Sequence, residues 1–357
     1  MRRSRHVTYA LPTVMPPMLG APRVEPALLP RAVRQALRRA GLVTIRRSEY
    51  ASGRECPYRL KLQAGGATES FSAYALLGSV FARAMELQFA SHATLQWTQQ
   101  EWLGCFAAVR AAHPGQRYLY RGSEVQWSDC KDWTQAFLSG EPWGVPLGHI
   151  ITRCCAELKA RGYANVESEL LLRLPLHGSE RGDEVEATGT LDVAADFHGF
   201  PAIGDAKSSG LWDVILKEDG QIKAQSYDVG QIRYHEQLQN YQWLLWRVRN
   251  VLASFFVLIF PANVVPYRQK NKTGERGLLL QAAPAPTLAQ VLDYERDYVN
   301  FWTSWTTAAG QYRARPGNFG RSSCPSCPVL QACFGDASVS SVASTLDTPD
   351  FSYLQAE

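Results

Sequence analysis

The stretch that decides the fold reads Gly189-Thr190-Leu191-Asp192-Val193-Ala194-Ala195-Asp196-Phe197-His198-Gly199-Phe200-Pro201-Ala202-Ile203-Gly204-Asp205-Ala206-Lys207. Apolar residues alternate with others on both sides of His198-Gly199, the pattern of two strands joined by a two-residue turn. Cross-strand partners in a hairpin keep a constant index sum. Phe197 is therefore expected to face Phe200, Ala195 to face Ala202 and Leu191 to face Ala206, on one apolar face. The other face places Asp192 across from Asp205, with Lys207 two residues further along it. Two opposed carboxylates repel, so a compensating group is needed. A divalent cation fits: hard oxygen ligands suit magnesium or manganese, and a nearby ammonium orients or deprotonates a metal-bound water. The competing reading makes the two acids and the lysine a solvated hairpin face.

Outward from the hairpin, the periodicities alternate between strand and helix. From Asn165, Leu170, Leu172 and Leu174 alternate with Glu169, Leu171 and Arg173, as in a strand. Tyr227–Asn250 carries a helical stripe of Tyr234, Leu238, Tyr241 and Leu245, and Leu252–Phe260 reads as a buried strand stopped by Pro261. Strand, strand, helix, strand implies an α/β core with a mixed sheet. Upstream the chain reads as helical: Arg31–Ala40 ended by Gly41, Ser48–Leu62 as one short helix, Ala73–Ala90, Gln96–Ala112 and Leu147–Arg161. Downstream, Thr287–Tyr312 is a further helix. Residues 1–28 form a Pro-rich basic arm, packing is expected to start at Leu29, and residues 335–357 form a Ser-rich tail.

With 357 residues, 46% of them hydrophobic and 20% charged, the chain can build a large core, which excludes disordered and fibrous classes. The basic character is local: residues 1–60 hold twelve arginines against three acids, and the remainder is net acidic. Such an arm suits a polyanion, or it is a solvated helix face. The longest apolar run, Leu252–Phe260, is about half of the ~20 residues a membrane helix needs. Pro12, Pro16 and Pro17 interrupt any signal-peptide core, so a cytoplasmic, reducing location is expected. Clustered cysteines in that setting favour metal over disulfides. Cys324-x2-Cys327-x5-Cys333 is such a cluster, and its spacing suits zinc or iron–sulfur; Cys105, Cys130, Cys154 and Cys155 read as core residues.

Taken together, Gly189-Thr190-Leu191-Asp192, Ile203-Gly204-Asp205-Ala206-Lys207 and the later Gln237-x3-Tyr241 resemble the PD-(D/E)XK nuclease superfamily in its RecB-like branch. Gln237 and Tyr241, four apart, share one helix face. The resemblance runs from Ser48 to Phe334 as scattered motifs and implies a restriction-endonuclease-like core. That core is a central mixed sheet flanked by helices, with a helical insertion at about 91–160, all within one nuclease domain at 29–334. It further implies that Asp192 and Asp205 bind magnesium or manganese and that Lys207 activates water. Gln237 and Tyr241 would orient Lys207 or the phosphate. Cys56, in the context Cys56-Pro57-Tyr58-Arg59, with Cys324, Cys327 and Cys333 resembles the subset whose 4Fe-4S cluster staples the domain ends together. Zinc remains open on spacing.

One departure stands out. The run Gly78-Ser79-Val80-Phe81-Ala82-Arg83-Ala84-Met85-Glu86 keeps the branch's glycine and glutamate but has Ala82 where its metal-binding histidine would be. Glu86 is expected either to supply a metal oxygen or to form a salt bridge; Glu167 and Glu169 are ranked below it. No G-x-x-x-x-G-K-[ST] helicase loop is present. The resemblance implies an exonuclease on single-stranded or end-exposed DNA in recombination, repair or CRISPR-type processing, with protein partners from such pathways. A catalytically degenerate DNA-binding or assembly module and a structure-specific endonuclease are the alternatives.

Overall fold

The computed structural model describes residues 29–67, 70–90, 97–112, 116–120, 123–126, 151–152, 158–177, 184–206, 213–216, 222–224, 232–266 and 275–308, together with Pro114, Ala156, Cys327, Val329 and Cys333. The hairpin forms in the expected register. Strands β6 (Glu186–Phe197) and β7 (Phe200–Ala206) pair antiparallel from Phe197↔Phe200 to Val193↔Gly204. His198 and Gly199 have φ of 49° and 84°, the two left-handed residues that a tight hairpin turn matching strand twist requires.

The ladder then stops one rung early. Asp192 does not pair with Asp205, nor Leu191 with Ala206, because the strands part after Val193↔Gly204. Strand β7 stays with β10 (Phe255–Pro266), pairing parallel from Ala202↔Phe255 to Ala206↔Ile259. The same edge of β6 is taken up again only at residues 186–188, by the parallel β1 (Thr44–Arg46). Residues 189–192 therefore line a fork in the sheet.

On its other edge β6 pairs antiparallel with β5 (Tyr163–Pro175), and β10 carries β8 (Asp213–Leu216) parallel and β11 (Glu275–Pro284) antiparallel. Strand β9 (Ile222–Ala224) closes an eight-stranded mixed sheet. Pro261 does not stop β10, contrary to expectation. It falls at positions 260–262, where β10 pairs with neither β7 nor β8, so a missing N–H breaks no rung on that side.

Helices cover both faces. One core joins α1 (Arg31–Arg39), α6 (Ile232–Arg249) and α7 (Leu288–Ala308) to Leu172, Leu174, Leu191 and Ile203. The other joins α4 (Ala73–Ala90) and α5 (Gln99–Ala112) to Tyr163, Val193, Phe197 and Val257. The single helix expected over Ser48–Leu62 is two, α2 (Arg47–Glu55) and α3 (Pro57–Ala64). Pro57 disfavours helical backbone at the residue before it, and Cys56 is accordingly extended at φ −148°, ψ 98°. The segment expected as a helical insertion at about 91–160 is not wholly helical: its β3 (Arg117–Tyr120) and β4 (Ser123–Glu124) form a small second sheet with β2 (Ser70–Ser72), which precedes it.

The core assignments expose a phase switch. An unbroken alternation would put Leu191, Ala195 and Phe197 on one face; instead Leu191 and Ala194 pack toward α6, while Val193, Ala195 and Phe197 pack toward α4. Strand β5 switches in step, with Val166 on the α4 side and Leu170, Leu172 and Leu174 on the α6 side. The rung between Ser168↔Val193 and Leu170↔Leu191, Glu169 opposite Asp192, is missing from the ladder, and Glu169 has φ 51°. A non-glycine residue in left-handed backbone costs about 1–2 kcal/mol.

Candidate active site

The site grows from the fork. Asp205, one residue past the last rung of the hairpin, is buried on the α6 side, where Gln237 Nε2 donates to its Oδ1 at 2.6 Å. The same Nε2 donates to the Tyr241 hydroxyl at 2.8 Å. The i, i+4 spacing seen in the sequence thus becomes one buried chain, Asp205–Gln237–Tyr241. Burial raises the Tyr241 hydroxyl well above its ordinary range, and the charges of Asp192 and Asp205 add to this. Tyr241 therefore stays neutral beside both acids. Arg47, at the start of α2, acts on Tyr241 in the opposite direction. The sequence reading had no means to bring it there.

Gly189 permits this closeness. A Cβ at Gly189 would lie 2.6 Å from Leu244 Cδ1 and 3.3 Å from Asn240 Oδ1, so only glycine lets α6 rest this near β6. The helix is held from behind by α7. Trp243 Nε1 and Arg247 Nε each donate to Glu295 Oε2 at 2.6 Å in a buried ion pair, and Asn240 Nδ2 donates to the Tyr294 hydroxyl at 2.8 Å.

Three further acids lie around this chain. Glu86 is ion-paired with Arg83 on α4, the salt-bridge alternative of the sequence reading. Glu167 faces outward and pairs with Arg249 at 2.8 Å, which lowers its carboxyl. Glu169 is half-buried: loss of solvation, then the charge of Glu86, pushes its carboxyl up to about 7, with Asp205 a smaller contributor and Arg83 opposing. Of the two lower-ranked acids, Glu169 therefore feels the charges of Glu86 and Asp205, whereas Glu167 is held at the surface by Arg249. Lys207 and Cys324 lie outside the described residues. Among the described residues no group of three acids, histidines or cysteines is placed to hold a metal ion. The donors nearest Tyr241 are carboxylate oxygens on strands at an open fork, the hard-ligand chemistry that magnesium and manganese take while keeping several waters.

Beside the fork a cleft of about 720 Å³ opens between α2, α3, α4 and the small sheet. Arg46, Arg59, Ser52 and Ser79 line it, with the Phe71–Tyr118 ring pair on the small-sheet side. Ser79 and Glu86 lie seven residues apart on α4, about 10 Å along the helix.

Cys56 caps both α2 and α3, and its Sγ accepts from Arg59 N at 3.4 Å. Trp305 Nε1, near the end of α7, donates to Pro57 O at 3.3 Å, so the segment leading to residues 324–333 starts next to Cys56. Cys56, Cys327 and Cys333 are half-buried, whereas Cys105 is a buried core residue as expected. No described helix is long and apolar enough to cross a membrane.

The forked sheet with its carboxylates and the Gln-Tyr helix define a nuclease-type core, and comparison with known families agrees. The model of the PD-(D/E)XK nuclease superfamily matches residues 47–334, and the chain belongs to that superfamily. A search of curated proteins finds no match. Among solved structures, the one titled "Crystal structure of SSO0001" is 11% identical with a TM-score of 0.26, covering 75% of this chain and 85% of that one.

Proposed function

We propose that the protein is a metal-dependent deoxyribonuclease that digests single-stranded or end-exposed DNA from a free end. The observation that carries this is the buried Asp205–Gln237–Tyr241 chain beside Asp192 at the sheet fork. Asp192 and Asp205 would hold magnesium or manganese, which supplies Lewis-acid polarisation of the phosphate and a more acidic bound water. Gln237 fixes the rotamer of Asp205. Neutral Tyr241 keeps further negative charge away from the phosphate. Lys207, two residues beyond Asp205, would position or deprotonate the attacking water and steady developing charge.

The cleft supports a single-stranded substrate. Arg46 and Arg59 can meet phosphates, and the Phe71–Tyr118 pair offers rings on which bases stack without regard to sequence. A 4Fe-4S cluster on Cys56, Cys324, Cys327 and Cys333 would tie the segment after α7 back to the α2–α3 junction, where Trp305 already meets Pro57. Recombination, repair and CRISPR-type processing all consume such DNA.

The test is release of nucleotides from end-labelled single-stranded DNA with manganese, using anaerobically prepared wild type beside Lys207→Ala. Cleavage by wild type alone is expected. If wild type binds single- and double-stranded DNA yet leaves both intact, the enzymatic reading fails. Ala82 favours that second reading, a DNA-binding module on a nuclease scaffold. Cutting of circular substrates would instead point to an endonuclease.

A further inference from the structure

We infer that Arg47, the first residue of α2, grips a phosphate of the substrate strand at the sheet fork. This rests on the reading of the fork as the place where DNA is cut, and it names the cation that admits the strand there. The position of Arg47 follows from the sheet. The parallel ladder of β1 on β6 ends at Arg46↔Thr188, and the next residue of β6 is Gly189, where the fork begins. Arg47 leaves the sheet at that level and opens α2. A Cβ at Gly189 would stand 4.0 Å from Tyr241 Cδ1, so β1 and the Tyr241 ring adjoin β6 at neighbouring residues. The charge of Arg47 is felt at the Tyr241 hydroxyl, in agreement with this placement.

The guanidinium of Arg47 is uncommitted. Other arginines around the fork and the cleft are engaged by acids: Arg83 by Glu86, Arg249 by Glu167, Arg247 by Glu295, Arg54 by Glu236 at 3.7 Å and Arg59 by Glu55 at 3.4 Å. Arg47 has neither a side-chain hydrogen bond nor an ion pair among the described residues, although its Nε is shut off from solvent. A buried N–H without an acceptor is costly, and the planar fork of a guanidinium matches the paired oxygens of a phosphate. Asp192 and Asp205 repel a phosphodiester, and a fixed cation beside them lets it approach.

The same helix start also leads out of the fork. Arg46, Ser48 and Ser52 line the cleft of about 720 Å³, and Arg47 does not. Neighbouring residues at one helix start thus serve two spaces, the fork through Arg47 and the cleft through Arg46. A single strand held by Arg47 would continue past the first turn of α2 toward Arg59 and the Phe71–Tyr118 pair, where its next phosphates and bases find partners.

The experiment measures binding of a fluorescent single-stranded oligonucleotide, without divalent metal, over a series of salt concentrations for wild type, Arg47→Ala, Arg47→Lys and Arg296→Ala. No cleavage is needed, so the roles of Lys207 and of the metal do not enter. Arg47→Ala should weaken binding about tenfold, the scale of a hydrogen bond to a charged group. It should also flatten the log–log salt dependence by about 0.7, the change for one phosphate contact on single-stranded DNA. Arg47→Lys should keep the slope and lose part of the affinity, because it retains the charge without the fork of donors. Arg296→Ala, which removes an exposed arginine paired with Asp293 on α7, should follow wild type. Arg47→Gln is the second uncharged variant, read in the same way if alanine does not fold, and circular dichroism confirms folding of each. A folded Arg47→Ala or Arg47→Gln with wild-type affinity and slope overturns the inference and leaves the nuclease reading intact. An equal loss of slope in Arg296→Ala overturns it too, because any surface charge would then serve. Wild type that binds no single-stranded DNA overturns the substrate reading, and this inference with it.

Discussion

Gly189→Ala is the sharpest test of how the site is built. The new Cβ would lie 2.6 Å from Leu244 Cδ1, whereas carbon contacts settle at about 3.5–4.0 Å, so the deficit is about 1 Å. Leu244 is wholly buried and cannot swing into solvent. The strain therefore falls on α6 as a whole, which would lift from β6 by about 1 Å. Gln237 sits two turns before Leu244 on the same helix, and its 2.6 Å bond to Asp205 would open to about 3.6 Å, beyond hydrogen-bond range. Overpacking of this kind costs about 1–3 kcal/mol of stability. A misplacement of about 1 Å at a reacting centre costs about 100-fold in rate. We therefore expect a lower urea midpoint and about 100-fold slower manganese-dependent cleavage of end-labelled single-stranded DNA. Leu244→Val removes the atom in the way, so the double variant should regain most of the rate, a non-additive pair. Gly189→Ala with wild-type midpoint and rate would refute the reasoning, as would a double variant slower than either single one.

Other outcomes follow from individual contacts. Glu295→Gln leaves the Arg247 guanidinium buried without its counter-charge and should cost about 3–5 kcal/mol in urea unfolding; a loss under about 1 kcal/mol would mean that the pair does not hold α6 to α7. Glu169 is held protonated to about pH 7 in the fold but ionises near 4.5 when unfolded. The native state thus keeps a proton that the unfolded chain releases, and metal-free stability should fall as pH rises between these values. Urea midpoints at pH 5 and pH 7.5 should show the fall in wild type and a flatter profile in Glu169→Gln; equal profiles would contradict it. Cys327→Ala should cost the protein both its visible absorbance and its thermal stability. A colourless, iron-free and equally stable wild type would remove the cluster from the account.

The local parts of this protein were legible because they depend on neighbours in the chain. Alternation about His198-Gly199 set the hairpin register, Gly41 marked a helix end, and a Gln and Tyr four apart on a strong helix shared a face, whereas the break at Pro57 inside Ser48–Leu62 was passed over. The constant index sum set by a two-residue turn also placed Asp192 across from Asp205 at the mouth of the hairpin. It could not say that the ladder ends one rung before them, since that depends on β7 choosing β10 and β6 choosing β1, partners about 50 and 140 residues away in sequence. Strand β1 is three residues long and β11 follows no alternating pattern, so neither had a signal of its own. The same holds for the acids: the motif ranked Glu86 above Glu169, and only packing gave Arg83 to one and the interrupted rung opposite Asp192 to the other. Periodicity reports which face a residue prefers if its strand is regular; where two strands change phase together, tertiary contacts alone decide which side chain reaches the site.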